Sequence, residues 1–132
     1  MTMPDLLAHA LVGVAIGRVL SVRSGRVGRP GVTACMVGAC LPDLAKVALL
    51  VPSGRVAATL GVPFGWFALH TAGGTLLSAL VGGLLVAPRW RRRAVALLAV
   101  GGGSHLLLDA LLRTPSGRSY PVLWPLIDYH PA

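Results

Sequence analysis

The sequence contains no glutamate and has little charge of any kind apart from arginine. Its acidic residues are Asp5, Asp43, Asp109 and Asp128, against eleven arginines and one lysine. Charged residues make up only 12% of the 132 positions, whereas 55% are hydrophobic and the mean hydropathy is +0.74. So few charges cannot cover the surface of a water-soluble domain. The composition predicts a single membrane-embedded domain, residues 1–132.

Other absences exclude several functional classes. The two cysteines, Cys35 and Cys40, lie in one apolar run and form no CxxC site. No GxSxG motif is present, so covalent catalysis by a serine nucleophile has no support. The net charge of +8 does not indicate a nucleic-acid partner, because the arginines fall in short clusters between apolar runs, as in membrane loops.

Four apolar runs predict an all-α fold, an integral membrane bundle of about four transmembrane helices. The predicted spans are residues 4–20, 32–51, 62–87 and 94–112, followed by a polar C-terminal tail at 113–132. The second run is interrupted at Pro42. In the third run the small residues Gly74, Ser78 and Gly82 recur at i, i+4 and i+8, which predicts a closely packed face.

The distribution of arginine predicts the orientation of these spans. The first and third connections carry arginine clusters at residues 23–29 and 88–93, whereas the second carries only Arg55. Because positive residues favour the cytoplasmic side, both basic loops should be cytoplasmic, with the N- and C-termini on the outer face of the cell membrane.

Ionisable residues inside the apolar runs are the candidate functional residues, because they are costly in a bilayer and usually have a role there. His105 and Asp109 are four residues apart and share one helix face. The predicted topology brings His9, Asp43 and His70 to the same outer half of the bundle. Imidazoles and carboxylates from several helices form a ligand set for Zn²⁺, with Mn²⁺ an alternative. The predicted metal ligands are therefore His9, Asp43, His70, His105 and Asp109.

Two functions remain open at this point. In the first, the protein is a hydrolase in which metal-activated water attacks a phosphoester or other ester, lipid-linked esters included, with Asp43, His105 and Asp109 as catalytic residues. In the second, it is a non-catalytic membrane protein whose polar cluster, with Asp43 paired to Lys46, only fixes helix packing. The glycine-rich apolar surfaces also suit packing against a second copy or another membrane protein.

Several motifs resemble those of the YdjM-type membrane-bound metal-dependent hydrolases, over nearly the whole chain. They are MPDLLAHALVG, CLPD, and SHLLLDALLRTPSG followed by YPVLWPL. The resemblance implies an integral membrane hydrolase with distant kinship to zinc-dependent phospholipases C. It also implies metal-site positions at His9, Asp43, His70, His105 and Asp109.

The sequence departs from the family pattern at two points. The family commonly has LPDxDH, whereas Ala45 and Lys46 occupy the last two positions here. The family also tends to have two histidines five residues apart at the head of the third helix, and only His70 is present in this chain. These departures favour a single-ion or degenerate site over a two-metal site.

Overall fold

The structure, a computed structural model, describes residues 6–111, and every regular element in that range is helical. The α-helices are α1 (Leu6–Ser24), α2 (Gly28–Cys40), α3 (Ser53–Leu60), α4 (Ala72–Leu84) and α5 (Pro88–Leu111). A first 3₁₀ helix, Pro42–Leu49, follows α2, and a second, Trp66–His70, precedes α4. The predicted all-α class is confirmed, while the predicted tail at 113–132 lies outside the described residues.

The helices differ in their ability to cross a bilayer. Both α1 and α5 are long and apolar enough to span it. The pair formed by α2 and the first 3₁₀ helix qualifies only as a broken span, with a bend of 47°. Helix α4 is apolar but has only 13 residues, so the predicted span 62–87 is divided between it and the second 3₁₀ helix. Within residues 6–111 there are thus two straight spans, or three with the bent pair, and one short apolar helix.

The bend in the second span occurs at Pro42. Proline has no N–H to continue the helical ladder, and its ring disfavours an uninterrupted α-helix. The hydrogen bonds change accordingly, with Leu41 N donating to Gly38 O at 3.1 Å and Leu44 N to Leu41 O at 3.0 Å. These bonds reach back three residues, which is the tighter 3₁₀ pattern. The chain therefore turns immediately before Asp43.

Glycines allow the spans to approach at backbone distance. A Cβ atom built on Gly13 or Gly17 of α1 would lie 2.8 Å from atoms of α2. Between α2 and α5, a Cβ on Gly38 would collide with the Leu98 carbonyl, and one on Gly101 with the Cys35 carbonyl. Small residues at helix crossings are typical of packing in membranes, where backbones must come close to gain van der Waals contact.

The packed face of α4 is displaced by one residue from the predicted one. The residues that α4 buries are Thr75, Ala79 and Gly83. The predicted row of Gly74, Ser78 and Gly82 is only half-buried beside it. Both rows consist of small residues, so residue size did not distinguish them. Both rows make close contacts, because a Cβ on Gly83 would collide with Val95 of α5, one on Gly82 would lie 3.0 Å from Leu98 Cδ1 of α5, and one on Gly74 would collide with the Ala68 carbonyl.

We expect Gly101→Val to destabilise the bundle, because the new side chain would press on the Cys35 carbonyl of α2. Gly103→Val is the matched control, since a Cβ at Gly103 meets nothing within 4 Å. Thermal unfolding in detergent should show a lower midpoint for Gly101→Val, corresponding to an overpacking cost of about 1–3 kcal/mol. Equal midpoints for the two variants would contradict the close contact between α2 and α5.

Candidate metal centre

The structure brings the five predicted ligands together at one end of the helices. His9 lies in the first turn of α1, and His105 and Asp109 lie in the last two turns of α5. Asp43 is near the start of the first 3₁₀ helix, and His70 is the last residue of the second. They form two overlapping trios, His9/His105/Asp109 and Asp43/His70/His105, and in each trio the potential ligand atoms lie within 4.8 Å of one another.

The Asp109 carboxylate is at the centre of this cluster. Its Oδ1 lies 3.4 Å from His9 Nε2, and its Oδ2 lies 2.8 Å from His70 Nε2 and 3.2 Å from His105 Nε2. His9 and His105 are 2% and 0% exposed, and their rings stack with centroids 3.7 Å apart. One carboxylate is therefore surrounded by three imidazoles in a nearly dry space.

Backbone carbonyls orient two of these imidazoles. His105 Nδ1 donates to Ala39 O at 2.7 Å, and His70 Nδ1 donates to Pro42 O at 3.3 Å. A carbonyl oxygen can only accept, so Nδ1 carries the proton and, in the neutral ring, Nε2 carries the lone pair. Both Nε2 lone pairs then face the Asp109 carboxylate. Such a convergence requires positive charge at the contact, either a proton held by the pair or a coordinated cation.

The carbonyls that accept from these imidazoles are available because they lie at or just after the end of α2. Ala39 O is among the last four carbonyls of α2, which an α-helix leaves without a partner four residues on. Pro42 follows, ends the helix and offers its own carbonyl to His70. Pro42, which bends the second span, thus also orients the His70 imidazole. Hydrogen bonds of this kind behind a histidine ligand are usual in metal sites.

Three buried atoms of the cluster have no hydrogen-bond partner within the described range, namely His9 Nδ1, Asp43 Oδ2 and His105 Nε2. His105 Nε2 approaches Asp109, but not with hydrogen-bonding geometry. An unsatisfied buried polar atom costs about 1–3 kcal/mol, which coordination of a cation would offset.

The spacing of the cluster also suits a cation. In a tetrahedral zinc site with N and O ligands, neighbouring ligand atoms are about 3.3 Å apart. The separations of 3.2 Å and 3.4 Å from Asp109 to His105 and His9 are of this size. The donor set and its spacing therefore fit a divalent cation.

Asp43 has a different partner on each side. Its Oδ1 pairs with Lys46 Nζ at 2.7 Å, as the sequence allows for residues one turn apart. Its Oδ2 is buried without a hydrogen bond within the described residues, and one of its carboxylate oxygens lies within 4.8 Å of the potential ligand atoms of His70 and His105. The Lys46 side chain is 59% exposed, so the ion pair joins a largely exposed lysine to a buried carboxylate. The Asp43 carboxylate is thus close to the cluster and is also paired with the Lys46 ammonium.

Neighbouring contacts hold His70 in place. Thr71 caps α4 by accepting from Gly74 N at 3.1 Å, and its hydroxyl donates to Ala68 O at 2.8 Å. Trp66 Nε1 donates to Val51 O at 2.7 Å, which ties the second 3₁₀ helix to the chain after the first. Sequence reasoning missed these positioning groups, although threonine ahead of a helix is a recognisable N-cap signal.

Comparison with known proteins agrees with the membrane setting of this cluster. The family model described as YdjM inner membrane protein matches residues 3–132. The chain belongs to the YdjM inner membrane protein family. Neither a curated protein nor a solved structure matches it. YdjM membership and the apolar helices together place the chain in the lipid bilayer of a membrane.

We expect the metal-free YdjM-family chain to hold His105 as the tautomer with the proton on Nδ1, because Ala39 O accepts from that atom. Nitrogen-15 NMR of histidine-labelled protein in detergent should show a protonated Nδ1 on His105. The His105→Gln variant assigns the signal by its loss. A neutral His105 with its proton on Nε2 would contradict the bond to Ala39.

Proposed function

We propose that this chain is a metal-dependent hydrolase of the membrane that acts on a phosphoester or other ester. The residues that would hold the cation are His9, Asp43, His70, His105 and Asp109. The observation that carries the proposal is the convergence of three imidazole Nε2 atoms on the buried Asp109 carboxylate. Imidazole and carboxylate ligands suit zinc best, and manganese is the alternative.

The chemistry follows from the donor set. A divalent cation bound there supplies Lewis acidity toward an ester or phosphoryl oxygen and acidifies water. His105 and Asp109, with His9, form the more deeply buried trio and keep bulk water from the ligand atoms. Asp43 presents an unpartnered oxygen beside that trio and is placed to accept a proton as general base. Lys46, exposed next to it, is placed to meet an anionic substrate.

The position of the cluster favours a substrate in the membrane. The cluster lies at the opposite end of the helices from the arginine clusters at residues 23–29 and 88–93. With those clusters on the cytoplasmic side, the site is in the outer half of the bilayer and both termini face outward. Lipid-linked esters and phosphoesters are the substrates that reach this depth.

A second function is supported by contacts within the same cluster. The Asp43–Lys46 ion pair and the 2.8 Å contact between His70 and Asp109 compensate part of the buried charge without a cation. The cluster would then only fix helix packing in a non-catalytic family member. Its glycine-rich helices would pack against a second copy or another membrane protein.

Metal content separates the two functions. We expect detergent-purified protein to contain about one zinc or manganese ion per chain by elemental mass spectrometry, held by the buried nitrogen and oxygen donors. His105→Gln and Asp109→Asn should lose the metal because each removes a donor at the centre of the cluster. Ser104→Ala is the control, since within residues 6–111 its hydroxyl bonds only to Gly101 O of the same helix, at 2.6 Å.

Metal in the parent protein and the control but not in the two variants supports the hydrolase. Absence of metal from all four, together with unchanged thermal stability on chelation, overturns it and favours the structural cluster.

Hydrolysis gives a further test that separates metal binding from catalysis. We expect Asp43→Asn to retain metal through His9, His105 and Asp109 but to lose a general base, which is worth about 10²–10⁴-fold in rate. Bis(p-nitrophenyl) phosphate, p-nitrophenyl acetate and a short-chain phosphatidylglycerol, assayed with added zinc or manganese, cover the ester classes. An unchanged rate in a metal-loaded Asp43→Asn protein would remove Asp43 from the catalytic residues.

A further inference from the structure

A second concave site lies at the end of the helices opposite the metal centre. A groove of about 550 Å³ opens between α2 and α5. Its volume is within the range of roughly 300–1,000 Å³ that small-molecule sites occupy. None of the proposed metal ligands lines it, so the two sites are independent.

Small residues on the facing helices make this groove concave and apolar. Its floor includes Gly31 and Ala34 from α2 and Ala94 and Leu97 from α5. Gly31 packs so closely that an added Cβ would collide with Val27 and lie 3.1 Å from Leu97 Cδ1. Leu97 is 8% exposed and closes the bottom. The floor therefore offers hydrocarbon contact and no ionisable group.

The mouth of the groove is cationic and partly fixed in place. Arg93 Nη1 donates to Arg26 O at 3.1 Å, and the Arg93 guanidinium lies 5.4 Å from the centroid of the Trp90 ring. That carbonyl uses only one of the five N–H donors of the guanidinium. Arg91, by contrast, points to α4 and donates from Nε to Gly83 O at 3.3 Å. Arg93 and Arg26 are thus the arginines that border the opening.

The charge at this mouth has no acidic counterpart in the described part of the chain. The acidic residues between positions 6 and 111 are Asp43 and Asp109, and both belong to the metal centre at the other end. A cationic mouth above an apolar floor, at a membrane interface marked by Trp90, matches a molecule with an anionic head and a hydrocarbon chain.

We propose that this groove binds one anionic phospholipid. The phosphate and headgroup contact Arg26 and Arg93, and an acyl chain lies over Gly31, Ala34 and Ala94. A soluble phosphate would leave the apolar floor unused, and a zwitterionic lipid would carry no net charge to match the two guanidinium groups. Basic pockets between membrane helices recognise the head groups of acidic lipids in this way.

The test uses the full chain in a neutral detergent, titrated with phosphatidylglycerol or with phosphatidylcholine of the same acyl chains. Retained lipid is counted by native mass spectrometry, and the unfolding midpoint is measured in parallel. The groove variant is the double substitution Arg26→Gln/Arg93→Gln. The matched control is Arg89→Gln/Arg92→Gln, which removes the same charge from exposed positions of α5 outside the groove.

We expect phosphatidylglycerol to bind and to raise the midpoint in the parent protein and in the control. The groove variant should bind it roughly 30-fold more weakly, because two headgroup contacts are lost. Ala94→Leu, which fills the floor and keeps both arginines, should also lose the lipid. This second variant keeps the proposal testable if the double variant folds poorly.

Three results would overturn the proposal. Equal binding of phosphatidylcholine would mean ordinary annular lipid. An equal loss of phosphatidylglycerol binding in the Arg89→Gln/Arg92→Gln control would mean that the basic loop attracts anionic lipid without a specific site. Equal stabilisation by inorganic phosphate alone would mean a soluble-anion site.

Discussion

The described structure depends on one buried carboxylate. An ionised aspartate among apolar helices is costly unless opposite charge or donors surround it. Asp109 is surrounded by imidazole nitrogens from α1, from the second 3₁₀ helix and from its own helix, at 2.8–3.4 Å. Because His9 and His70 are distant from Asp109 in the chain, this compensation requires three segments to meet at one point. The Asp109 charge can therefore be buried with its partners only when these helices are assembled.

Small residues and charge separation make that meeting feasible. Gly13 and Gly17 bring α1 onto one side of α2, while Gly38 and Gly101 bring α5 onto another. The arginines are kept away from the cluster, since Arg93 and His105 are separated along α5 by about 18 Å, at 1.5 Å per residue. A cation held by the cluster would thus lie at the opposite end of α5 from the basic loop before that helix.

Sequence reasoning reached the class of the fold and the grouping of the polar residues. Helical periodicity alone put His105 and Asp109 on one face, and similar depth along the spans put His9, Asp43 and His70 near them. It did not reach the partners that orient them, because Ala39 O and Pro42 O are backbone atoms whose roles depend on tertiary contact. The face that α4 buries also depends on tertiary contact, so the sequence predicted the row of Gly74, Ser78 and Gly82 instead of the neighbouring buried row. Residues 62–87 were likewise predicted as one span. The groove between α2 and α5 was also missed, since it needs two helix faces at once.

The short length of α4 has a consequence for the bilayer around it. Thirteen residues of α-helix extend about 20 Å, whereas the hydrocarbon core of a membrane is about 30 Å thick. The lipids beside α4 must therefore thin locally, or the backbone of the 3₁₀ segment before it must be covered by protein. Thinning on this side lowers the headgroup plane toward His70, at the start of α4. Lipid esters and phosphates there would come to the cluster, with no need for a lipid to leave the membrane.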